Sequence, residues 1–172
     1  VGSNIVREAL SRGYQVNGTM RNVTTQERTK YLQRLKCSEN LKLFSADMLV
    51  TGTFNDALSG VDAVFITCLI PTYRGPTGVL AREMDYEQGY REIVKPTVDG
   101  CLEILRSAHD EGIKKVIICS STSSTNPIPS VSNKNEVDHW SNEHEQFKAQ
   151  KFTSAAKTVM EKAALEFANQ HN

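Results

Sequence analysis

The sequence predicts an α/β fold in which strands and helices alternate around a parallel sheet. First, short strand-like runs and helical apolar stripes follow one another along the chain. Second, residues 114–125 read KKVIICSSTSST, in which an apolar run leads into a cluster of hydroxyl groups. Such a run is typical of a strand buried on both faces of a sheet. Third, 172 residues with 39% hydrophobic content suit one globular domain with its own core.

Each element is predicted from a local pattern. The first helix ends at Gly13 as its C-cap, and a capping box of Thr24 and Glu27 opens the second. Pro96 should kink or interrupt the long helical region around it, because proline lacks the backbone N–H. The further predicted helices are 54–58, 86–109 and 154–170, the predicted strands are 14–20, 41–46, 61–68 and 115–119, and the predicted loops are 71–83 and 123–151.

The charge balance and the cysteines exclude several classes of function. Lys plus Arg equals Asp plus Glu at 20 each, so no excess charge favours nucleic acid or an anionic membrane. No apolar run approaches the roughly 20 residues of a membrane span. The chain has four cysteines, Cys37, Cys68, Cys101 and Cys119. They form no CxxC pair and lack the spacing of metal ligands. This pattern predicts a reduced, cytoplasmic protein with no metal site.

Parallel α/β sheets place their chemistry at the carboxyl edge of the strands. Ser120, Ser121 and Thr122 follow the apolar run and should lie at that edge, although a serine-rich loop can also simply cap a core strand. A dinucleotide-binding unit needs three glycines in its first strand-to-helix turn. Gly2 stands at the mouth of the first helix, in the place of the third, although a single glycine there more often marks only an ordinary helix start.

The end of the strand at 14–20 predicts NADP(H) rather than NAD(H). NAD-specific domains carry an acidic residue there, whereas an arginine suits the 2′-phosphate of NADP. This chain has Arg21 and Asn22 at that point, and Arg28 in the next helix could reach the same phosphate. The alternative is that both arginines are solvated surface residues.

Two further strand ends and one helix supply the remaining candidates. Asp47 and Met48 follow the strand at 41–46, where a loop passes the adenine ring, and the strand at 61–68 ends beside the expected path of the pyrophosphate. Lys157 in the last helix could orient a ribose and lower the pKa of an acid beside it, unless it is a surface lysine. The candidates at the end of the strand at 61–68 are Thr67, Cys68 and Leu69.

Several sequence blocks together resemble a known family. NIVREALSRGYQV, LKLFSADM, IVKPTVDGCLEILRSA, KKVIICSS and SAAKTVMEKAALEFA occur in family order. The chain resembles the extended short-chain dehydrogenases/reductases, specifically the dihydroflavonol reductase and cinnamoyl-CoA reductase group of the NAD-dependent epimerase/dehydratase superfamily. The resemblance implies a Rossmann-like doubly wound parallel sheet that binds NADP(H) and reduces a carbonyl by hydride transfer. It also implies a catalytic trio of Ser, Tyr and Lys, with the last two spaced Tyr-x-x-x-Lys.

The resemblance carries the family's serine onto Ser121 and its lysine onto Lys157. The adenine-loop acid falls on Asp47 and the third motif glycine on Gly2; the 2′-phosphate contacts are implied for Arg21 and Arg28. The tyrosine position is occupied by Thr153. A threonine hydroxyl is far less acidic than a phenol, whose pKa is about 10, so Thr153 cannot replace it as proton donor.

The resemblance further implies that residues 1–172 form a partial NAD(P)-binding Rossmann domain. The first strand, with two phosphate-loop glycines, and the C-terminal substrate domain of the family would lie outside it. In the 3-2-1-4-5 strand order, that first strand lies between the strands at 14–20 and 61–68. We therefore expect these two strands either to pair directly or to leave a gap between them.

Three functions remain open at the level of sequence. The first is an NADP-dependent oxidoreductase that reduces a small aldehyde or ketone to an alcohol. The second is a non-catalytic NADP-binding or regulatory relative, favoured by Thr153. The third is an epimerase or dehydratase of the same superfamily. The sequence does not specify the substrate or the oligomeric state.

Overall fold

The computed structural model describes residues 1–67 and 73–171, without the side chains of Gln26 and Arg28. The predicted site residues Cys68 and Leu69 lie outside the described residues. The helices are α1 (Gly2–Ser11), α2 (Gln26–Gln33), α3 (Asn55–Leu58), α4 (Tyr86–Gly89), α5 (Lys95–Asp110), α6 (Glu143–Lys148) and α7 (Phe152–Gln170). The strands are β1 (Val16–Met20), β2 (Leu41–Ser45), β3 (Ala63–Ile66) and β4 (Lys115–Ile118). This alternation confirms the predicted α/β class.

Two compact units are distinguished by their internal contacts. The first comprises Val1–Cys68 with Arg106–Ile118, and the second comprises Leu69–Leu105 with Cys119–Asn172. The first unit contains all four strands. The second contains α7 and the three residues predicted to be catalytic, which are Ser121, Thr153 and Lys157. The prediction that residues 1–172 form a single domain stays a prediction.

The first unit contains two parallel pairs of strands. β1 pairs with β2 in a register that places Met20 opposite Ser45, and β3 pairs with β4 with Ile66 opposite Ile118. Each pair forms its own two-stranded sheet among the described residues, so β1 and β3 are not hydrogen-bonded neighbours. The parallel pairing confirms the prediction, and of the two arrangements expected for the strands at 14–20 and 61–68 the structure shows the gap.

The prediction that the run at 116–119 is buried on both faces is wrong. β4 alternates between exposed and half-buried residues, and Ile117 is 45% exposed. Its partner strand β3 likewise leaves Phe65 51% exposed. Because each of these strands has a neighbour on one side only, the sheet is too narrow to bury them as a central strand would be buried.

The predicted capping box at the start of α2 is also wrong. The N-cap is Thr25, and no side chain caps the helix there. The backbone N–H and the hydroxyl of Thr24 instead both donate to Asn22 Oδ1, at 2.8 and 2.7 Å. This local turn competes for the groups that a capping box would use.

Residues 123–151 are not only loop. A 3₁₀ turn spans Thr122–Thr125, and α6 begins after Asn142, whose Oδ1 accepts from His144 N at 2.9 Å and from Glu145 N at 3.3 Å. Asn is a strong N-cap residue, so the capping signal was present in the sequence. The helix was missed because EHEQFK carries no apolar stripe.

The long helical region is interrupted as predicted from Pro96. A π-helical segment, Tyr90–Val94, lies between α4 and α5. Pro96 has no N–H to donate to the carbonyl of Glu92, so the regular hydrogen-bond ladder is broken at this point.

The core of the second unit forms around the π-helical segment and the start of α7. Its buried apolar residues are Ala81, Met84, Ile93, Val94, Phe152, Ala155 and Ala156.

The π-helical segment carries a buried carboxylate. Glu92 is 7% exposed and accepts from Thr77 Oγ1 at 2.9 Å and from Gln88 Nε2 at 3.1 Å, with Arg91 Nη2 at 3.5 Å. Burial raises the pKa of Glu92, but the hydrogen bonds from Thr77, Gln88 and Arg91 outweigh it and leave the pKa below its ordinary value. The charged form of Glu92 therefore stabilises the folded state.

We expect this contribution to depend on pH. Because the pKa of Glu92 is lowered on folding, its stabilisation is fully present above the ordinary value of 4.5 and is lost as pH falls through the folded value. The free energy of unfolding should therefore fall below pH 4.5 more steeply for wild type than for Glu92→Gln. Urea unfolding of both proteins between pH 3 and pH 7 measures this, and parallel pH dependences would contradict it.

Candidate active site

The residues 120–125, here called the serine turn, follow β4 directly. Ser121 is the N-cap of the 3₁₀ turn, and its Oγ accepts from Ser123 N at 3.2 Å and from Ser123 Oγ at 3.0 Å. Both bonds use the oxygen as acceptor, so the Ser121 hydroxyl can still donate its own proton. Ser121 is also exposed. The turn therefore fixes this hydroxyl while leaving it accessible to a ligand.

Lys157 is buried rather than solvated. The residue is 7% exposed, and its Nζ donates to the backbone carbonyl of Cys119 at 2.6 Å. Burying a lysine is costly unless the ammonium group has partners. This contact places the lysine next to the segment that leads into Ser121. The structure thus holds Lys157 against the backbone two residues before Ser121.

Glu161 is a residue that the sequence interpretation missed. It lies one turn after Lys157 on α7 and accepts a hydrogen bond from Ser120 Oγ. Its Oε2 also lies 2.6 Å from Ser124 Oγ, which in turn is 2.7 Å from the carbonyl of Ser121. The carboxylate therefore ties the serine turn to α7. The i, i+4 spacing from Lys157 was the available signal.

A second set of contacts holds the serine turn from the loop before α6 and from α6 itself. Ser141 Oγ donates to Ser123 O at 2.6 Å, and Ser141 N donates to Ser124 O at 2.8 Å. Gln146 Nε2 also donates to Ser123 O, at 2.9 Å. The loop before α6 and α6 itself thus fix the backbone that presents Ser121.

Thr153, the residue at the family's tyrosine position, lines a cleft of about 340 Å³ in the second unit. It lies in the first turn of α7, one turn before Lys157. Helical residues four apart share a face. The Tyr-x-x-x-Lys geometry is therefore preserved in the backbone, with a threonine where the phenol would be.

In the first unit the structure brings Gly2 and Thr67 together. A Cβ added at Gly2 would lie 2.7 Å from Thr67 Oγ1, closer than real Cβ atoms approach other atoms. A side chain at residue 2 would therefore require the Thr67 hydroxyl to turn away, and glycine permits this close approach without such a change. Both residues had been predicted as part of a cofactor site.

The ends of β1 and β2 lie side by side, which places two more candidates. Ala46 N donates to Met20 O at 2.9 Å, so Arg21 and Asp47 follow neighbouring strand ends. Arg21 is exposed. Asp47 shapes its own turn, since its Oδ1 accepts from Leu49 N at 3.0 Å.

Two further cofactor candidates, Met48 and Arg28, lie in this unit. Met48 is buried, at 9% exposure. Arg28 lies near the start of α2, and its side chain is not among the parts of the chain that the structure describes.

Comparison with known proteins assigns the family. Residues 1–167 match the family model described as NAD(P)H-binding. The chain belongs to the NAD(P)H-binding family. Within it, the relatives place the chain in the extended short-chain dehydrogenase/reductase group that includes dihydroflavonol reductases. The Rossmann-like fold class is confirmed by the same comparison.

Three members of this group illustrate the similarity. Dihydroflavonol 4-reductase of Callistephus chinensis is 33% identical over 100% of the chain and 46% of its own length. Tetraketide alpha-pyrone reductase 1 of Arabidopsis thaliana is 28% identical over 99% of the chain and 50% of its own length. The crystal structure of vestitone reductase from alfalfa has a TM-score of 0.71 at 28% identity, covering 99% of the chain and 49% of that protein. The chain spans about half the length of the curated relatives it matches.

The family implies a nicotinamide dinucleotide, and the first unit fits one. Gly2 keeps the start of α1 free of a side chain, and the start of a helix is where backbone N–H groups bind a pyrophosphate. Arg21 and Asp47 follow the neighbouring strand ends at which the ribose and adenine are held in this fold.

Within the described residues, no helix is long and apolar enough to span a membrane.

Proposed function

We propose that the chain takes part in the NADP(H)-dependent reduction of a small aldehyde or ketone to an alcohol. The observation that carries this proposal is the buried Lys157, whose Nζ donates to Cys119 O at the strand end that leads into Ser121. A surface lysine would not bear this desolvation. The free thiols of Cys37 and Cys119 suit a reducing compartment, and we propose a cytoplasmic location.

Each site residue has a proposed role. A bound nicotinamide supplies the hydride. Ser121 donates a hydrogen bond to the oxygen of the substrate carbonyl, and Lys157 donates to a ribose hydroxyl and adds positive charge. Arg21 and Arg28 neutralise the 2′-phosphate. The residues proposed to hold the dinucleotide are Gly2, Arg21, Arg28, Asp47, Met48, Thr67, Cys68, Leu69, Ser120 and Lys157.

Thr153 favours a second candidate, an NADP-binding protein without turnover. A threonine hydroxyl does not release its proton as a phenol does. Removing one acid–base group typically lowers a rate by about 10²- to 10⁴-fold. This candidate predicts ordinary cofactor affinity together with no carbonyl reduction.

One experiment separates the two candidates. The chain is expressed with whatever sequence flanks it in its gene, and NADPH consumption is followed with a panel of aldehydes and ketones. Isothermal titration calorimetry measures NADPH binding to the same protein. Carbonyl-dependent NADPH consumption supports the reductase, binding without consumption supports the non-catalytic relative, and the loss of both contradicts the family-based proposal.

The cofactor preference gives a second measurable expectation. Arg21→Glu replaces the charge proposed to neutralise the 2′-phosphate with one that repels it. We expect the dissociation constant of NADPH to rise by at least about tenfold, equivalent to about 1.4 kcal/mol, while that of NADH does not rise. Arg34→Glu, at the C-terminal end of α2, is the matched control and should change neither constant. Equal weakening of both cofactors would show that Arg21 does not select NADP.

A further inference from the structure

The start of the serine turn is attached to α7 at two points that lie one helical turn apart. Lys157 Nζ donates to Cys119 O at 2.6 Å, and Glu161 accepts a hydrogen bond from Ser120 Oγ. Lys157 and Glu161 share a face of the helix because they are four residues apart. The two residues that lead into Ser121 are therefore both held by this face of α7.

A third contact extends from Glu161 to Ser121 itself. Ser124 is 2% exposed, and its Oγ lies 2.6 Å from Glu161 Oε2 and 2.7 Å from Ser121 O. A hydroxyl group has a single proton, so Ser124 donates to only one of these two acceptors at a time. The direction of the Ser124 hydroxyl therefore couples the carboxylate of Glu161 to the backbone of Ser121.

The hydroxyl of Ser121 depends on the turn for its direction. Its Oγ accepts from Ser123 N at 3.2 Å and from Ser123 Oγ at 3.0 Å, and Ser121 O accepts from Ser124 N at 3.0 Å. These bonds fix the hydroxyl within the turn, but they do not fix it relative to the helix that carries Lys157. The contacts of Glu161 supply this second relation.

The far end of the turn is held by a different part of the chain. Ser141 Oγ and Gln146 Nε2 donate to Ser123 O at 2.6 and 2.9 Å. These contacts anchor the turn to α6 and to the loop before it. Glu161 instead joins the hydroxyl groups of the turn to α7, and hydrogen bonds to a carboxylate are roughly twice as strong as those between neutral groups.

We propose that Glu161 is a positioning residue for the carbonyl reduction. Through Ser120 and Ser124 it sets where the Ser121 hydroxyl lies relative to Lys157. This inference rests on the proposed function, in which Ser121 donates a hydrogen bond to the carbonyl oxygen of the substrate. A misplacement of about 1 Å can lower a rate by about 10²-fold, so a carboxylate that touches no reacting atom can still determine the rate.

The test uses the chain expressed with its flanking sequence. Glu161→Met keeps the length of the side chain and removes the acceptor, so kcat should fall by about 10- to 10²-fold. Glu161→Gln keeps a carbonyl oxygen as acceptor and should recover much of this loss. Glu166→Met, at an exposed position of the same helix, is the matched control and should leave kcat unchanged. A Glu161→Gln protein as slow as Glu161→Met would overturn the proposal.

Combination with Ser121→Ala separates positioning from general support of the fold. If Glu161 acts through the Ser121 hydroxyl, Glu161→Met should change kcat by no more than about twofold once residue 121 is alanine. If Glu161 supports the fold without acting on Ser121, the two losses should multiply. Multiplied losses would therefore overturn the proposal.

Hydrogen exchange of the turn tests the same contact without any turnover. The amides of Ser123 and Ser124 donate to Ser121 and should exchange faster in Glu161→Met than in wild type or Glu166→Met. Unchanged exchange would overturn the proposal. Full kcat in Glu161→Met, with loss of kcat in Ser121→Ala, would also overturn it and leave the reductase in place. A wild-type protein that reduces no carbonyl would overturn both.

Discussion

Replacement of Lys157 by methionine is expected to lower the rate of carbonyl reduction by about 10²- to 10⁴-fold. Methionine keeps most of the apolar stem and removes the ammonium group. Lys157 is 7% exposed and bonded to Cys119 O, so its charge is held at the segment that leads into Ser121. Loss of that charge should weaken both the ribose contact and the stabilisation of negative charge on the reacting oxygen. Steady-state kinetics with NADPH and a reducible aldehyde measure the effect.

The same substitution should have a smaller effect on stability. Cys119 O loses its lysine partner, which costs about 1–3 kcal/mol if the carbonyl stays buried and unpaired. Lys162→Met, on the same helix, is the matched control: its ion pair with Glu143 is partly exposed, and such pairs contribute about 0–1 kcal/mol. A Lys157→Met protein that binds NADPH normally and retains the wild-type rate would refute the catalytic assignment.

The alternation of elements was predictable because it depends on local patterns. The apolar stripes of α1 and α7 and the apolar runs of β3 and β4 each specify their own element. The burial of a strand depends instead on its neighbours. The apolar run at 116–119 indicated a central strand, yet Ile117 is 45% exposed because β4 lies in a two-stranded sheet. The burial of β4 therefore depends on the number of strands beside it, which its composition does not specify.

The candidate site was likewise predictable only in part. The family's order of blocks selected Ser121 and Lys157, and the structure holds Lys157 Nζ at the carbonyl of Cys119, two residues before Ser121. Glu161 was missed, because an i, i+4 spacing from Lys157 does not by itself indicate contact with a turn far away in the chain. Glu161 matters because two serine hydroxyls lie against it.

Phe152→Ala is expected to have the largest effect on stability, lowering the free energy of unfolding by about 3–5 kcal/mol. Phe152 is fully buried, at 0% exposure, in the apolar cluster that joins the π-helical segment to α7. Removing the ring deletes its buried area and leaves a cavity. Leu165→Ala, on the exposed side of the same helix, is the matched control and should change the free energy by at most about 0.5 kcal/mol. Urea unfolding followed by circular dichroism measures both.

Gly89 makes the test specific to ring packing. A Cβ at Gly89 would lie 2.5 Å from ring carbons of Phe152, so Gly89→Ala should cost about 1–3 kcal/mol in wild type although alanine favours helices. In Phe152→Leu, which still fills much of the site and should fold, the added methyl meets a smaller side chain and should cost less. A double-mutant cycle over these two positions should give a coupling of about 1 kcal/mol or more. Additive effects would show that the ring of Phe152 does not rest on Gly89, and the large loss expected for Phe152→Ala would then need another cause.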